Sequence, residues 1–126
     1  MSSSSNPLAF VVEDDDKLAT IYTQALKISD FDIESFSNGD AAIERLKVAQ
    51  PFLVLLDLHL DGTSGNQVLD FIRKDERLKS MQVIVATADP LMADLVNSQS
   101  DFVLQKPVSF SQLHDLAVRL RSTLGS

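Results

Sequence analysis

The sequence predicts a three-layer α/β sandwich around a parallel sheet, and three observations carry that expectation. Five short apolar or β-branched runs recur at intervals of roughly twenty residues. Segments with helical spacing lie between them, the alternation expected of βαβ units. The runs at 8–12, 52–56 and 82–86 are continuously apolar rather than alternating, as expected of strands covered on both faces. No linker or internal repeat divides the 126 residues. Residues 8–124 therefore read as one domain, preceded by a flexible tail over residues 1–7 that includes the run from Ser2 to Ser5.

Leu8 to Val12 is the first strand. Leu18, Ile21, Tyr22, Ala25 and Leu26 then follow the i, i+3, i+4, i+7 spacing of an amphipathic helix. Phe31 to Phe36 is diluted by Asp32, Glu34 and Ser35, which suits an edge strand. Asn38-Gly39 turns the chain into a shorter helix marked by Ala42, Ile43 and Leu46, and Gln50-Pro51 leads into the strand Phe52 to Leu56. Asp61-Gly62 punctuates the next connection, before a helix carrying Val68, Leu69 and Ile72. Gln82 to Ala86 is the fourth strand, Leu91, Met92, Leu95 and Val96 mark a weak fourth helix, and Phe102 to Leu104 is the fifth strand. Leu113, Leu116, Ala117, Leu120 and Leu124 define the last helix.

Composition narrows the function. Eighteen Asp and Glu against eleven Lys and Arg give a net charge of −7, which opposes the phosphate backbone and argues against direct nucleic-acid binding. No run approaches a membrane span, and the first residues lack the basic start and apolar stretch of a signal peptide, so a soluble cytoplasmic protein is expected. There is no cysteine, which excludes disulfides and thiolate metal sites. With only His59 and His114 a structural zinc site is disfavoured too.

In an open parallel sheet the ligand site lies beyond the carboxyl ends of the strands. The first run is followed by Glu13, Asp14, Asp15 and Asp16, the third by Asp57, the fourth by Thr87, and the fifth by Gln105 and then Lys106-Pro107. Each has a plain structural reading: Asp15 or Asp16 as a helix cap or dipole partner, Thr87 as a strand-end hydroxyl, Lys106 as a solvated lysine. Asp57 resists such a reading, because an isolated carboxylate at the mouth of a central strand is costly. If Glu13, Asp14 and Asp57 converge, like charges about 4 Å apart repel by about 4 kcal/mol per pair at an effective dielectric near 20. A positive group must sit among them. Oxygen ligands without Cys or His suit a hard divalent cation such as Mg²⁺, with Lys106 as a second positive charge and Thr87 as a hydroxyl for a phosphoryl oxygen.

The chain here resembles the receiver domain of bacterial two-component response regulators, in the single-domain form of the chemotaxis regulators. The likeness covers Leu8 to Leu124. It rests on Phe10-Val11-Val12-Glu13-Asp14-Asp15, on Val54-Leu55-Leu56-Asp57-Leu58 with Gly65 eight residues after the acid, on Val83-Ile84-Val85-Ala86-Thr87-Ala88, and on Lys106-Pro107. The resemblance implies a flavodoxin-like, doubly wound five-stranded sheet in the order 2-1-3-4-5 with five flanking helices. It implies Asp57 as phosphoacceptor, Glu13, Asp14, Asp57 and the His59 backbone carbonyl as Mg²⁺ ligands, and Lys106 and Thr87 as phosphoryl-binding lysine and switch hydroxyl. A sensor histidine kinase or phosphotransfer protein would supply the phosphoryl group, and an unidentified downstream protein would read the result. Self-phosphorylation and self-dephosphorylation would be its only chemistry, with His59 and Asp89 lining the approach of the hydrolytic water.

Three departures fall outside the acid cluster. Asp61 stands where the family usually has proline, the interval from Thr87 to Lys106 is short by roughly one helical turn, and the usual aromatic three residues before the lysine is Val103. Phe102 cannot replace it, because adjacent strand residues face opposite ways. The fourth helix should therefore be short or irregular. Asp61-Gly62-Thr63 raises a haloacid-dehalogenase-type phosphatase, but His59 occupies the place of its nucleophilic acid. A flavin or nucleotide binder of the same fold would need a glycine-rich phosphate loop, and the chain has four glycines and no such motif. The remaining alternative is a receiver-like docking module that is not phosphorylated. A homodimer through the fourth-helix face, and either a stand-alone regulator or a piece of a longer protein, stay open.

Overall fold

The computed structural model describes residues 6–60 and 63–124, so residues 1–5 of the tail expected over 1–7 and the Asp61-Gly62 turn lie outside the described residues. Five parallel strands, β1 (Leu8–Val12), β2 (Asp32–Phe36), β3 (Leu53–Asp57), β4 (Gln82–Thr87) and β5 (Phe102–Gln105), form one sheet in the order β2-β1-β3-β4-β5. The helices are α1 (Asp16–Lys27), α2 (Gly39–Leu46), α3 (Gly65–Lys74), α4 (Pro90–Val96) and α5 (Phe110–Ser122). This is the expected flavodoxin-like fold.

The sheet separates two cores, and side-chain alternation assigns each strand residue to one of them. Phe10, Val12, Val54, Leu56, Val83 and Val85 pack toward α2, α3 and α4. Ala9, Val11, Leu53, Leu55, Ile84 and Ala86 pack toward α1 and α5. The middle strands are buried along both faces, which is why their sequences show no polar alternation. β2 is the polar edge, where Glu34 forms a two-pronged ion pair with Arg45 of α2 at 2.7 and 3.0 Å.

Local chemistry fixes the helix starts. Asp15, Asn38, Ser64, Asp89 and Ser109 each cap a helix by accepting a backbone N–H, and Ser64 with Gln67 completes a reciprocal capping box. The fourth helix spans seven residues and is as short as its sequence interval implies. Val103 packs with the α2–α4 core and Phe102 with the opposite one, as strand alternation requires. Two details depart from the sequence reading. A 3-10 turn at Glu76–Leu78 follows α3, capped by Asp75 and anchored by the buried Leu78. The last helix ends at Ser122, so Leu124 lies beyond it and is exposed.

Candidate functional site

Glu13, Asp57 and Lys106 meet because each stands two residues beyond an inward position of its strand. Val11, Leu55 and Leu104 face the α1–α5 core. The next residues of that parity continue on the same side, Asp57 as the last residue of β3 and Glu13 and Lys106 just past the ends of β1 and β5. The ladder holds them there, with Glu13 N–H donating to Phe36 O at 3.0 Å and Lys106 N–H to Thr87 O at 2.9 Å. The Lys106-Pro107 peptide is cis.

Carboxylate oxygens of Glu13, Asp14 and Asp57 all lie within 4.8 Å of one another. Glu13 and Asp57 are 3% and 2% exposed, and Asp14 is half-buried at the rim. Lys106 Nζ reaches across to Asp57 Oδ1 at 3.2 Å and Glu13 Oε1 at 3.4 Å. Two backbone donors complete the set, His59 N–H to Asp57 Oδ1 at 3.1 Å and Asp15 N–H to Glu13 Oε2 at 3.2 Å.

Acids outnumber cations in this pocket, and Glu13 registers the imbalance. Burial, and next the Asp57 charge, push its carboxyl up to about 7, against the opposing pull of the Asp15 N–H and Lys106. Burial disfavours the Lys106 ammonium, but Asp57 and Glu13 outweigh it and hold the group above its ordinary value. A buried carboxyl that retains a proton near neutrality marks a place where another positive charge is favourable. Three oxygen ligands without nitrogen or sulfur match a hard divalent cation. Glu13, Asp14 and Asp57 are the residues that could hold it.

Thr87 is fully buried and follows Val85 on the α2–α4 side of the sheet. Its hydroxyl accepts from Asp89 N–H at 3.1 Å and lies 3.5 Å from His59 Nε2. His59, exposed on the loop after β3, thus touches both Asp57 and Thr87. Asp89 directs its carboxylate to Leu91 N–H at 3.0 Å, as the cap of α4. Asp15 likewise serves α1, accepting from Lys17 and Leu18 N–H at 2.9 and 3.0 Å, and Asp16 lies in that helix's first turn. The plain reading of these two acids is the correct one.

Gly65 brings α3 against the end of β3. Its N–H donates to Leu58 O at 3.3 Å, and a Cβ there would collide with the carbonyl oxygen of Asp57 and the Cα of Leu58. One residue near the site escapes sequence reasoning. Tyr22, counted among the apolar positions of α1, is 1% exposed and buries its hydroxyl without a hydrogen-bond partner among the described residues. The signal available was a phenol where leucine would fill an apolar face.

A doubly wound sheet that gathers acids, a lysine and a hydroxyl at its carboxyl edge belongs to the class of α/β domains that place their ligand chemistry there. Residues 9–118 match the response regulator receiver domain, and the chain belongs to that family. It is 33% identical over 117 residues to FilR2 of Methanothrix harundinacea, described as a probable methanogenesis regulatory protein, covering 84% of this chain and 76% of that one. It is 32% identical to the DNA-binding response regulator MtrA of Mycolicibacterium smegmatis over 90% of this chain, but spans only 49% of MtrA. The chemotaxis response regulator CheY4 of Vibrio cholerae superposes with a TM-score of 0.84 over 92% of this chain and 99% of that one; at 15% identity this speaks to the fold alone. Among the described residues no helix is long and apolar enough to cross a membrane.

Proposed function

We propose that the chain is a phosphorylation-dependent signalling switch of the cytoplasm, with Asp57 as phosphoacceptor. The observation that carries this reading is the Lys106 ammonium 3.2 Å from Asp57 Oδ1, inside a buried pocket that also holds Glu13 and Asp14. Asp57 attacks the phosphorus of a phosphohistidine on a sensor kinase or phosphotransfer protein. A new P–O bond forms, the P–N bond breaks, and the imidazole leaves with the nitrogen's electron pair and takes up a proton.

Glu13, Asp14, Asp57 and the His59 carbonyl would hold Mg²⁺, which when bound offsets the negative charge of the phosphoryl oxygens. Lys106 turns its ammonium to the transferring group, and the Thr87 hydroxyl donates to a phosphoryl oxygen. The second change requires Thr87 to leave its resting contacts with His59 and Asp89, which links the chemistry to the loop that opens α4. The new charge then shifts a two-state equilibrium of the surface around α4, β4 and β5. Hydrolysis of the acyl phosphate by water resets the switch, with His59 and Asp89 at its approach. A downstream protein reads the α4 face.

Incubation of the chain with Mg²⁺ and a small phosphodonor, followed by intact mass, tests the reading. One added phosphoryl group that is lost in Asp57→Asn supports it. No added mass with a donor or with a kinase favours a docking module that works without phosphorylation.

A further inference from the structure

Tyr22 and Glu13 carry complementary needs. Tyr22 is the chain's single tyrosine, on the face of α1 that packs with Val11, Leu55 and Ala86. Those strand positions point to the side on which Glu13, Asp57 and Lys106 emerge, so the phenol lies on the pocket's side of the sheet, where the charges of all three residues act on it. Its hydroxyl is buried without a partner among the described residues, a cost that phenylalanine in the same place would avoid. Glu13 is bonded in the resting state, with Asp15 N–H on Oε2 and Lys106 on Oε1. When Lys106 turns to a phosphoryl group, Glu13 loses that donor while remaining buried, and its carboxylate keeps lone pairs for another donor even while it also serves as a cation ligand.

We propose that Tyr22 is a positioning residue of the acidic pocket, whose unpartnered phenol donates to the Glu13 carboxylate once Lys106 engages the phosphoryl group on Asp57. Tyr22 thereby holds Glu13 in place after its lysine has gone, and the loaded state gains a hydrogen bond that the resting state lacks. This rests on the phosphoacceptor reading above. Burial, followed by the Glu13 charge, holds the phenol above its ordinary pKa, so it remains a proton donor wherever the protein works.

The absence of tryptophan makes the phenol directly visible in the spectrum of the full chain. Loading with Mg²⁺ and beryllium fluoride, a tetrahedral phosphoryl mimic, should quench tyrosine emission and red-shift its near-ultraviolet absorption. Tyr22→Phe should melt at the same temperature as the parent or higher when metal-free, since it removes an unpartnered hydroxyl. Its rate of phosphorylation at saturating Mg²⁺ should fall by about tenfold or more, the worth of one hydrogen bond to a charged group. A parent spectrum that loading leaves unchanged, or equal rates for parent and variant, overturns the assignment to Tyr22 alone. A parent that takes up no phosphoryl group overturns the phosphoacceptor reading and this inference with it.

Discussion

Lys106 Nζ stands 3.2 Å from Asp57 Oδ1 and 3.4 Å from Glu13 Oε1, the ammonium shared between the two buried acids of the pocket. The same charge serves two ends that oppose one another. It offsets the acids at rest, and it must also offset the transferring group during phosphorylation.

Lys106→Met therefore has effects of opposite sign. Removing the positive charge leaves the three acids facing one another, so a divalent cation should bind several-fold more tightly. Phosphorylation of Asp57 should slow by about tenfold or more, because a preorganised charge aimed at the transferring oxygens is gone. Calorimetric titration with Mg²⁺ and a time course of intact mass would separate the two. Parallel losses in both would show that the substitution has simply disordered the pocket.

Stability should depend on pH through Glu13. Its carboxyl sits at about 7 in the folded chain against an ordinary value of 4.5, so the folded state binds this proton more tightly than the unfolded state does. That contribution is fully present below about 4.5, shrinks as pH rises, and is gone above about 7. Urea unfolding of metal-free protein should give a lower midpoint at pH 8 than at pH 5, and Glu13→Gln should flatten that difference. Saturating Mg²⁺ should reduce it as well, since the cation takes over the task of the proton. A midpoint that rises across this interval in metal-free protein would contradict the burial of Glu13.

The site is legible in the sequence where a residue's place depends on its own strand. Phe52 to Leu56 is apolar without interruption, so burial on both faces and the exceptional acid that ends the run follow from the string. The brevity of α4 is legible in the same way, from the interval between Thr87 and Lys106. Relations that need the register of several strands are not. Nothing near Tyr22 in the sequence says that its phenol shares the side of the sheet on which Glu13, nine residues earlier, emerges, because helix α1 must first fold back on β1. Leu124 continues the helical spacing of α5 yet lies past its end, since hydrophobic period alone does not terminate a helix.

Arg73 is another residue whose importance only the folded chain reveals. From α3 it donates to Gln99 O at 2.6 Å, Met81 O at 3.2 Å, Lys79 O at 3.3 Å and the Asp101 carboxylate at 2.9 Å, and that carboxylate also accepts Val83 N–H at 2.7 Å. One guanidinium thus ties α3 to the entries of β4 and β5. Arg73→Ala should lower stability by about 1.5–3 kcal/mol, as expected for charged hydrogen bonds in a half-buried setting. The exposed Lys74–Asp70 pair on the same helix should contribute less than about 0.5 kcal/mol when Lys74→Ala removes it. Denaturant midpoints of the two variants would compare them directly. Equal effects would mean that the Arg73 network is as solvated as the surface pair.

Gly65 links packing to chemistry. The first turn of α3 presses on the backbone of Asp57 and Leu58, and both atoms that a Cβ would strike belong to the main chain, which cannot swing aside as a side chain can. Gly65→Ala should therefore destabilise the chain by about 1–3 kcal/mol, although alanine is the better helix former. The strain is relieved only by moving α3 away from β3 or by shifting Asp57 itself, and a displaced acceptor slows transfer out of proportion to the distance moved. Phosphorylation of the variant should slow under conditions where circular dichroism shows it fully folded. A folded variant that accepts phosphate at the parent rate would show that the collision is absorbed on the helix side, leaving the acceptor where it was.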